Sequence, residues 1–249
     1  MTQSVVLTGI VLKAMPVGDY DKRITILTKE RGKIVAFARG ARRQNSQLLA
    51  ATAPFSFGEF ELFEGKNAYN LSKASIKKYF RELTNNLDAV YIGFYFLEFA
   101  DYFCQENNDE IEMLKLLYQS LRALESQSFD NSLVKAIFEL KAITINGEGP
   151  NVFYCVNCHG TENLRRFSVK RAGLYCDRCS GMENGIEISE ATRYTLQYIV
   201  ASKPEKLFNF SVSEEVLSQL IQIVDEYIKF YVHHDFKSLE IMKDTKVFL

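Results

Sequence analysis

The hydrophobic period of this chain changes once, near residue 82. Before that point apolar and polar positions alternate in short runs, the period that puts successive side chains on opposite faces of a strand. Val5 to Met15 is apolar and rich in β-branched residues, and the polar PVGDYDK that follows reads as a loop. RITILT (23–28) and KIVAFAR (33–39) flank the turn KERG, the pattern of a hairpin. In PFSFGEFELFEG, Phe60 and Leu62 alternate with Glu59 and Glu61, and Gly58 marks a bulge. A turn at EGKN leads into AYNLSKASI as a further strand. Short strands with a basic loop among them predict a five-stranded closed barrel over residues 1–81, an OB-fold or another small barrel.

From Leu83 the period is helical. Leu87, Val90, Tyr91, Phe94, Leu97 and Phe99 predict a helix aromatic enough to be largely buried. Asp109 is placed to cap the next helix, with Ile111, Leu114, Leu117, Tyr118 and Leu121 inward. Asp130 or Asn131 starts a third, carrying Val134, Ile137, Phe138 and Leu140, and Gly147, Gly149 and Pro150 stop it. Helices resume after Ser189 and after Ser213, the latter with Leu217, Leu220, Ile221, Val224, Tyr227, Ile228 and Tyr231 along one stripe. The expected architecture is α+β: a barrel over 1–81, then a helical domain over 82–249 interrupted by a cysteine-bearing segment at 150–182.

Composition changes this picture little, and charge changes it more. With 249 residues, 47% hydrophobic and 24% charged, the chain suits a globular protein of two domains. Its first residues lack the basic start and small-residue cleavage site of a secretory signal, and no apolar run approaches the ~20 residues that span a bilayer. A cytoplasmic location with reduced thiols and no membrane partner is expected. The net charge of −1 conceals a division. Residues 1–81 hold 14 Lys/Arg against 6 Asp/Glu, a net of +8, and the remainder is at −9. Within that remainder, residues 150–182 are at +3. A basic module joined to an acidic one points to a polyanionic partner for the first.

Four of the five cysteines form Cys155-x2-Cys158 and Cys176-x2-Cys179, separated by a 17-residue loop. Two such turns present two pairs of sulfurs to one tetrahedral ion, and the spacing is that of zinc ribbons. Four thiolates leave no open coordination position, so the zinc is expected to be structural. CVNCH also matches c-type haem attachment, which needs export. A thioredoxin-like motif would need a βαβ context, and a zinc deaminase an H-x-E and a P-C-x-x-C that are absent. His159 reads as an outer or exposed residue and Cys104 as a buried thiol. Arg165, Arg166, Lys170 and Arg171 between the pairs suit either phosphate contact or a solvated surface.

Arg31, Lys33, Arg39, Arg42 and Arg43 fall within thirteen residues with no acid among them. On a barrel these would line one face and bind phosphates through counterion release. The barrel aromatics Phe37, Phe57 and Tyr69 could stack bases or fill the core. ITILTKERGKIVAFARGARRQNS, PFSFGEFELFEG and FELKAITINGEGPNVFYCVNCHG, in that order before the second CxxC, resemble the RecO family of bacterial recombination mediators over nearly the whole chain. That resemblance implies an OB-fold followed by a helical domain with an embedded four-cysteine zinc site. It implies a non-catalytic protein that binds single- and double-stranded DNA and anneals complementary strands. With RecR, such a protein helps load RecA onto strands coated by single-stranded-DNA-binding protein (SSB). Carried over residue by residue, it assigns Arg39, Arg42 and Arg43 to DNA, with Lys33, Arg31 and Arg23 as weaker contacts, and Cys155, Cys158, Cys176 and Cys179 to zinc. It also implies a protein of the bacterial cytoplasm, at the nucleoid during repair. An RNA-binding OB and zinc-ribbon protein, a zinc-containing DNA-processing enzyme, or an adaptor whose barrel face binds protein are the alternatives.

Overall fold

A computed structural model of the chain describes residues 4–66, 68–182 and 184–244. Met1 to Gln3 and Thr245 to Leu249, the outermost residues of the two expected domains, lie outside the described residues. The chain forms two compact units, residues 1–125 with 236–249, and residues 126–235. The first therefore gathers helices onto the barrel, so that the change of hydrophobic period does not coincide with the edge of a compact unit.

The barrel is β1 (Ser4–Val17), β2 (Asp21–Thr28), β3 (Gly32–Ala38), β4 (Phe57–Glu64) and β5 (Tyr69–Lys78), with a short α1 (Leu48–Ala51) between β3 and β4. Its closed order, β1-β2-β3-β5-β4, is that of an OB-fold, and the β3–β5 pair is the parallel one. Alternation sends Ile24 and Ile26, Ile34, Ala36 and Ala38, and Phe60 and Leu62 into the core. The small residues on β3 share this core with Phe60 and Tyr69. Gly9 and Gly58 face each other across β1 and β4. A Cβ on Gly9 would lie 2.3 Å from the Leu27 carbonyl oxygen, and one on Gly58 2.2 Å from that of Ser75, so only glycine lets the strands close here. The β4–β5 register shifts between Phe57 and Gly58, the bulge expected there.

In the same unit lie α2 (Leu87–Phe103), α3 (Ile111–Ser126) and, from the chain's end, α7 (Lys237–Asp244). On α2, Ile92, Tyr95, Phe96 and Phe99 are buried, but Leu87 and Phe94, expected inward, are exposed. So many of its positions are apolar that the pattern does not single out one face. Gly93 is the notch into which the Phe55 ring packs, and Phe55 meets Phe94 edge-on at 4.8 Å. Helix α7 begins on Glu98, whose carboxylate accepts from the Lys237 N–H at 3.0 Å and the Ser238 N–H at 2.9 Å. The Phe236 ring stacks on Phe99 at 5.3 Å beside it.

The turn between β2 and β3 is seated on the segment after α2. Gly32 sits at φ +63°, where an added Cβ would be 2.3 Å from the Gln105 carbonyl oxygen and 2.9 Å from that of Asn108. The Lys33 N–H donates to Gln105 O at 2.9 Å, and the Asn107 N–H to Arg31 O at 3.0 Å. Cys104 is buried beside this seam, and burial pushes its thiol far up.

The second unit holds α4 (Asn131–Ile145), the cysteine segment, α5 (Glu190–Ala201) and α6 (Glu214–Tyr231). Asp130, Ser189 and Ser213 cap the three helices through side-chain oxygens. On α6 the buried line is Val216, Leu220, Ile223, Val224 and Tyr227, while Leu217, Ile221, Ile228 and Tyr231 are half-buried. The expected stripe is rotated because Val216 and Ile223 belong to its centre. Lys135 on α4 bonds Glu139 at 3.0 Å and Asp225 of α6 at 3.1 Å, an ion triad within the helix packing. The cysteine segment forms a small sheet, β7-β6-β8, from β6 (Leu164–Ser168), β7 (Gly173–Cys176) and β8 (Ile186–Glu187), the last lying beyond the expected boundary at residue 182. Among the described residues, no helix is long and apolar enough to cross a membrane.

The seat of Gly32 is testable by comparison with Gly18, which has φ +52° but open space around it. Gly32→Ala is expected to cost about 3 kcal/mol or more, because strain adds to a backbone clash, and Gly18→Ala about 1–2 kcal/mol. Urea denaturation midpoints of the two variants provide the measurement.

Candidate nucleic-acid interface and metal centre

A strand has two ends, and β3 delivers the basic residues around it to opposite ends of the barrel. At its C-terminal end, Lys22 on β2 stands opposite Ala38 and Arg23 opposite Phe37. The β1–β2 turn and the loop after β3 meet there. The Arg42 N–H donates to Tyr20 O at 2.8 Å and its guanidinium to Gly18 O at 3.0 Å. The Gly40 N–H donates to the Asp21 carboxylate at 2.7 Å. The Arg43 guanidinium lies over the Tyr20 ring at 5.3 Å. Backbone anchors thus hold a loop whose Arg39, Arg42 and Arg43 side chains are exposed, next to an exposed Arg23. Lys22 reaches inward to Leu49 O at 3.1 Å and Thr52 Oγ1 at 3.0 Å. Burial, and then the charge of Arg42, lowers its pKa.

Arg31 and Lys33 occupy the opposite end, about 20 Å away along the strand. Arg31 bonds Tyr69 Oη at 2.7 Å and pairs with Glu64, and these two partners raise its pKa. Lys33 bonds the Asp101 carbonyl and lies 3.3 Å from its carboxylate. Lys33 is thereby spent on holding the barrel to the helical segment, and Arg31 on tying the β2–β3 turn to β4 and β5. On the β4–β5 side, Lys77 pairs with Glu59, Lys78 with Glu125, and Lys73 stands across from Glu61. Arg31, Lys33, Lys77 and Lys78 are thus offset by carboxylates, whereas Arg23, Arg39, Arg42 and Arg43 cluster, exposed, at one end. Of the three candidate aromatics, the Tyr69 ring is buried, Phe57 packs on Tyr118 at 4.7 Å, and Phe37 is exposed. Sequence reading missed Tyr20 and Lys22 at this end. The DYDKR run on the turn was their only signal.

The four cysteine sulfurs lie within 4.8 Å of one another, Cys158 and Cys176 being 3.6 Å apart. Thiolates around a tetrahedral ion with bonds of ~2.3 Å stand about 3.8 Å apart, so this donor set fits a thiophilic metal ion. The turns are built by the chain itself. The His159 N–H donates to Cys155 O at 2.9 Å with His159 at φ +62°, and the Cys155 N–H to Gly160 O at 2.7 Å. Burial opposes ionisation of Cys155, yet backbone N–H groups of Cys158, Cys176 and Asn157 bring it down to about 6. At Cys179 the Asn157 amide, 3.3 Å from the sulfur, lowers the pKa, but burial and the neighbouring thiols lift it to about 11. His159 is exposed, its ring 5.7 Å from that of Tyr154, and does not belong to the cluster.

Of the basic residues between the cysteine pairs, Arg165 is 3.8 Å from Asp177, Arg166 stands across from Glu187, and Lys170 and Arg171 are exposed on the β6–β7 turn. Beside that turn a groove of about 590 Å³ has Phe167, Val169, Ile186 and Phe230 as its apolar lining and Lys170, Lys229 and Glu226 as its charged groups.

Residues 1–80 match the family described as Recombination protein O N terminal, and residues 84–240 the family described as Recombination protein O C terminal. The DNA repair protein RecO of Acetivibrio thermocellus is 32% identical over 238 residues, 95% of this chain and 95% of its own. That of Caldicellulosiruptor saccharolyticus is 34% identical over 240 residues, 96% and 97% of the two chains. That of Alkaliphilus metalliredigens is 32% identical over 238 residues, 94% and 97%.

The division between engaged and exposed cations has a direct consequence for stability. Lys33→Ala is expected to cost about 1–3 kcal/mol, through the loss of a charge-assisted bond, and Arg39→Ala less than about 0.5 kcal/mol. Chemical denaturation of the two variants checks this.

Proposed function

This chain belongs to the RecO family of DNA repair proteins, and from that premise we propose that it works without catalysis, by binding and annealing DNA. The observation that carries this reading is the clustering of the exposed Arg39, Arg42, Arg43 and Arg23 at one end of the barrel, while Arg31, Lys33, Lys77 and Lys78 are paired with carboxylates. A cationic end of this kind neutralises phosphates and releases their counterions. Two complementary strands gathered there repel each other less and pair faster. Arg31 and Lys33 contribute indirectly, by holding the barrel that presents the other four.

The partners follow the family. With RecR, the protein helps load RecA onto single strands coated by SSB in the bacterial cytoplasm, at the nucleoid during repair. The groove lined by Phe167, Ile186 and Phe230 supports SSB as a partner, because Lys170 and Lys229 against the single carboxylate of Glu226 leave it a net charge of +1 within an acidic half of the chain. An acidic tail ending in phenylalanine matches such a groove in both charge and shape. The ion at Cys155, Cys158, Cys176 and Cys179 is zinc, and with every ligand position taken it supplies folding energy.

The test is annealing of complementary oligonucleotides by wild type and by the Arg39/Arg42/Arg43→Ala triple variant. The variant is expected to anneal at least about tenfold more slowly and to lose about 2–3 from the slope of log affinity against log salt. A folded variant that anneals at the wild-type rate overturns the assignment. For the metal, reduced protein is expected to carry about one zinc per chain, and Cys176→Ser to lower both zinc content and melting temperature. Protein without stoichiometric zinc overturns that part.

A further inference from the structure

The outer face of β1, β2 and β3 has an unusual composition for a barrel exterior. Inward positions of β3 are Ile34, Ala36 and Ala38, so Val35 and Phe37 point outward. The register aligns Met15, Arg23 and Phe37 side by side across the three strands. One step further along lie Lys13, Thr25 and Val35, and one step back Val17 with Asp21. Met15 is 46% exposed and Phe37 36%, and Tyr20 on the adjoining turn is 54% exposed. Apolar side chains thus alternate with Lys13, Arg23 and Arg39 on a surface the barrel leaves uncovered. Exposed apolar groups of this size call for a partner surface, and the cations between them make that partner an anion with apolar faces.

We propose that this face takes a single strand of DNA, with Phe37 and Met15 stacked on unpaired bases and Arg23 and Arg39 on the flanking phosphates. The inference rests on the DNA-binding reading above and adds to it a preference between forms of DNA. Phe37 and Met15 are separated by two strand spacings, about 10 Å, with the Arg23 side chain between them. Bases in a duplex rise by about 3.4 Å and turn their faces to each other. Their edges reach the groove, but their faces do not reach a flat sheet. A duplex can therefore engage only the arginines, whereas an unpaired strand engages arginines and rings together. The arrangement lets the same cationic end hold both forms of DNA while favouring the form that still has to be paired.

The chain contains no tryptophan, so Phe37→Trp installs a single indole reporter on the proposed surface. Its fluorescence is expected to be quenched by oligothymidylate and left nearly unchanged by a blunt duplex of equal length. In parallel, Phe37→Ala and Met15→Ala are expected to weaken oligothymidylate binding by about tenfold and about threefold, with duplex affinity held within about twofold. Arg39→Ala should weaken both. Equal losses on single strand and duplex, or no loss on either, overturn the proposal while leaving the DNA-binding reading intact. Wild-type protein that binds neither probe at low salt overturns both. Unchanged melting temperatures of the alanine variants confirm that the losses arise at the surface.

Discussion

The seating of the β2–β3 turn on the carbonyls of Gln105 and Asn108 is the constraint on which the rest depends. It needs a residue without a side chain at Gly32, and it draws in Arg31 and Lys33 on either side. Once one end of β3 is fixed against the helical segment, the other end must face away from it. The hairpin register then brings Arg23 and Phe37 together. The loop after Ala38 is pinned to the β1–β2 turn by the Arg42 N–H on Tyr20 O, the Gly40 N–H on the Asp21 carboxylate and the Arg42 guanidinium on Gly18 O, and Arg39 beside it remains exposed. A run of basic residues that looks uniform in sequence is thereby divided in its surroundings, paired with carboxylates at one end and exposed at the other.

The cysteine segment illustrates a different use of rare residues. Its four thiols converge on one tetrahedral position, and the backbone shapes the turns that hold them. Gln197 on α5 donates to Val152 O at 2.7 Å, and Tyr231 on α6 to Val169 O at 3.0 Å, tying the segment into the second unit on both sides. A metal ion held by the four thiols would be coupled to helix packing in this way. The β6–β7 turn of the segment carries Lys170 to the groove beside Phe230.

Much of this was legible in the chain because it depends on local chemistry. The barrel strands follow from alternation, the Gly58 bulge from a glycine in a strand, and the helix starts from Asp130, Ser189 and Ser213, whose side chains find N–H groups two or three residues on. What was not legible depends on partners distant in sequence. Arg31 is held by Glu64 and Tyr69, 33 and 38 residues away, and Lys33 by Asp101, 68 residues away. Helix α7 starts on Glu98, some 140 residues before it. Leu87 and Phe94 were expected inward because a helix apolar on nearly every side carries no signal of which face the fold covers. The small sheet of the cysteine segment was hidden behind its basic residues, since a five-residue strand such as LRRFS shows no clean alternation.

The central claim is that the C-terminal end of β3, rather than its N-terminal end or the cysteine segment, meets DNA. Amide hydrogen exchange of the whole protein, with and without a saturating single-stranded oligonucleotide, addresses it most directly. The account predicts added protection in the peptides covering residues 15–23 and 35–43, with little change around residues 29–33. Protection confined to residues 160–180, with residues 15–43 unchanged, would contradict it.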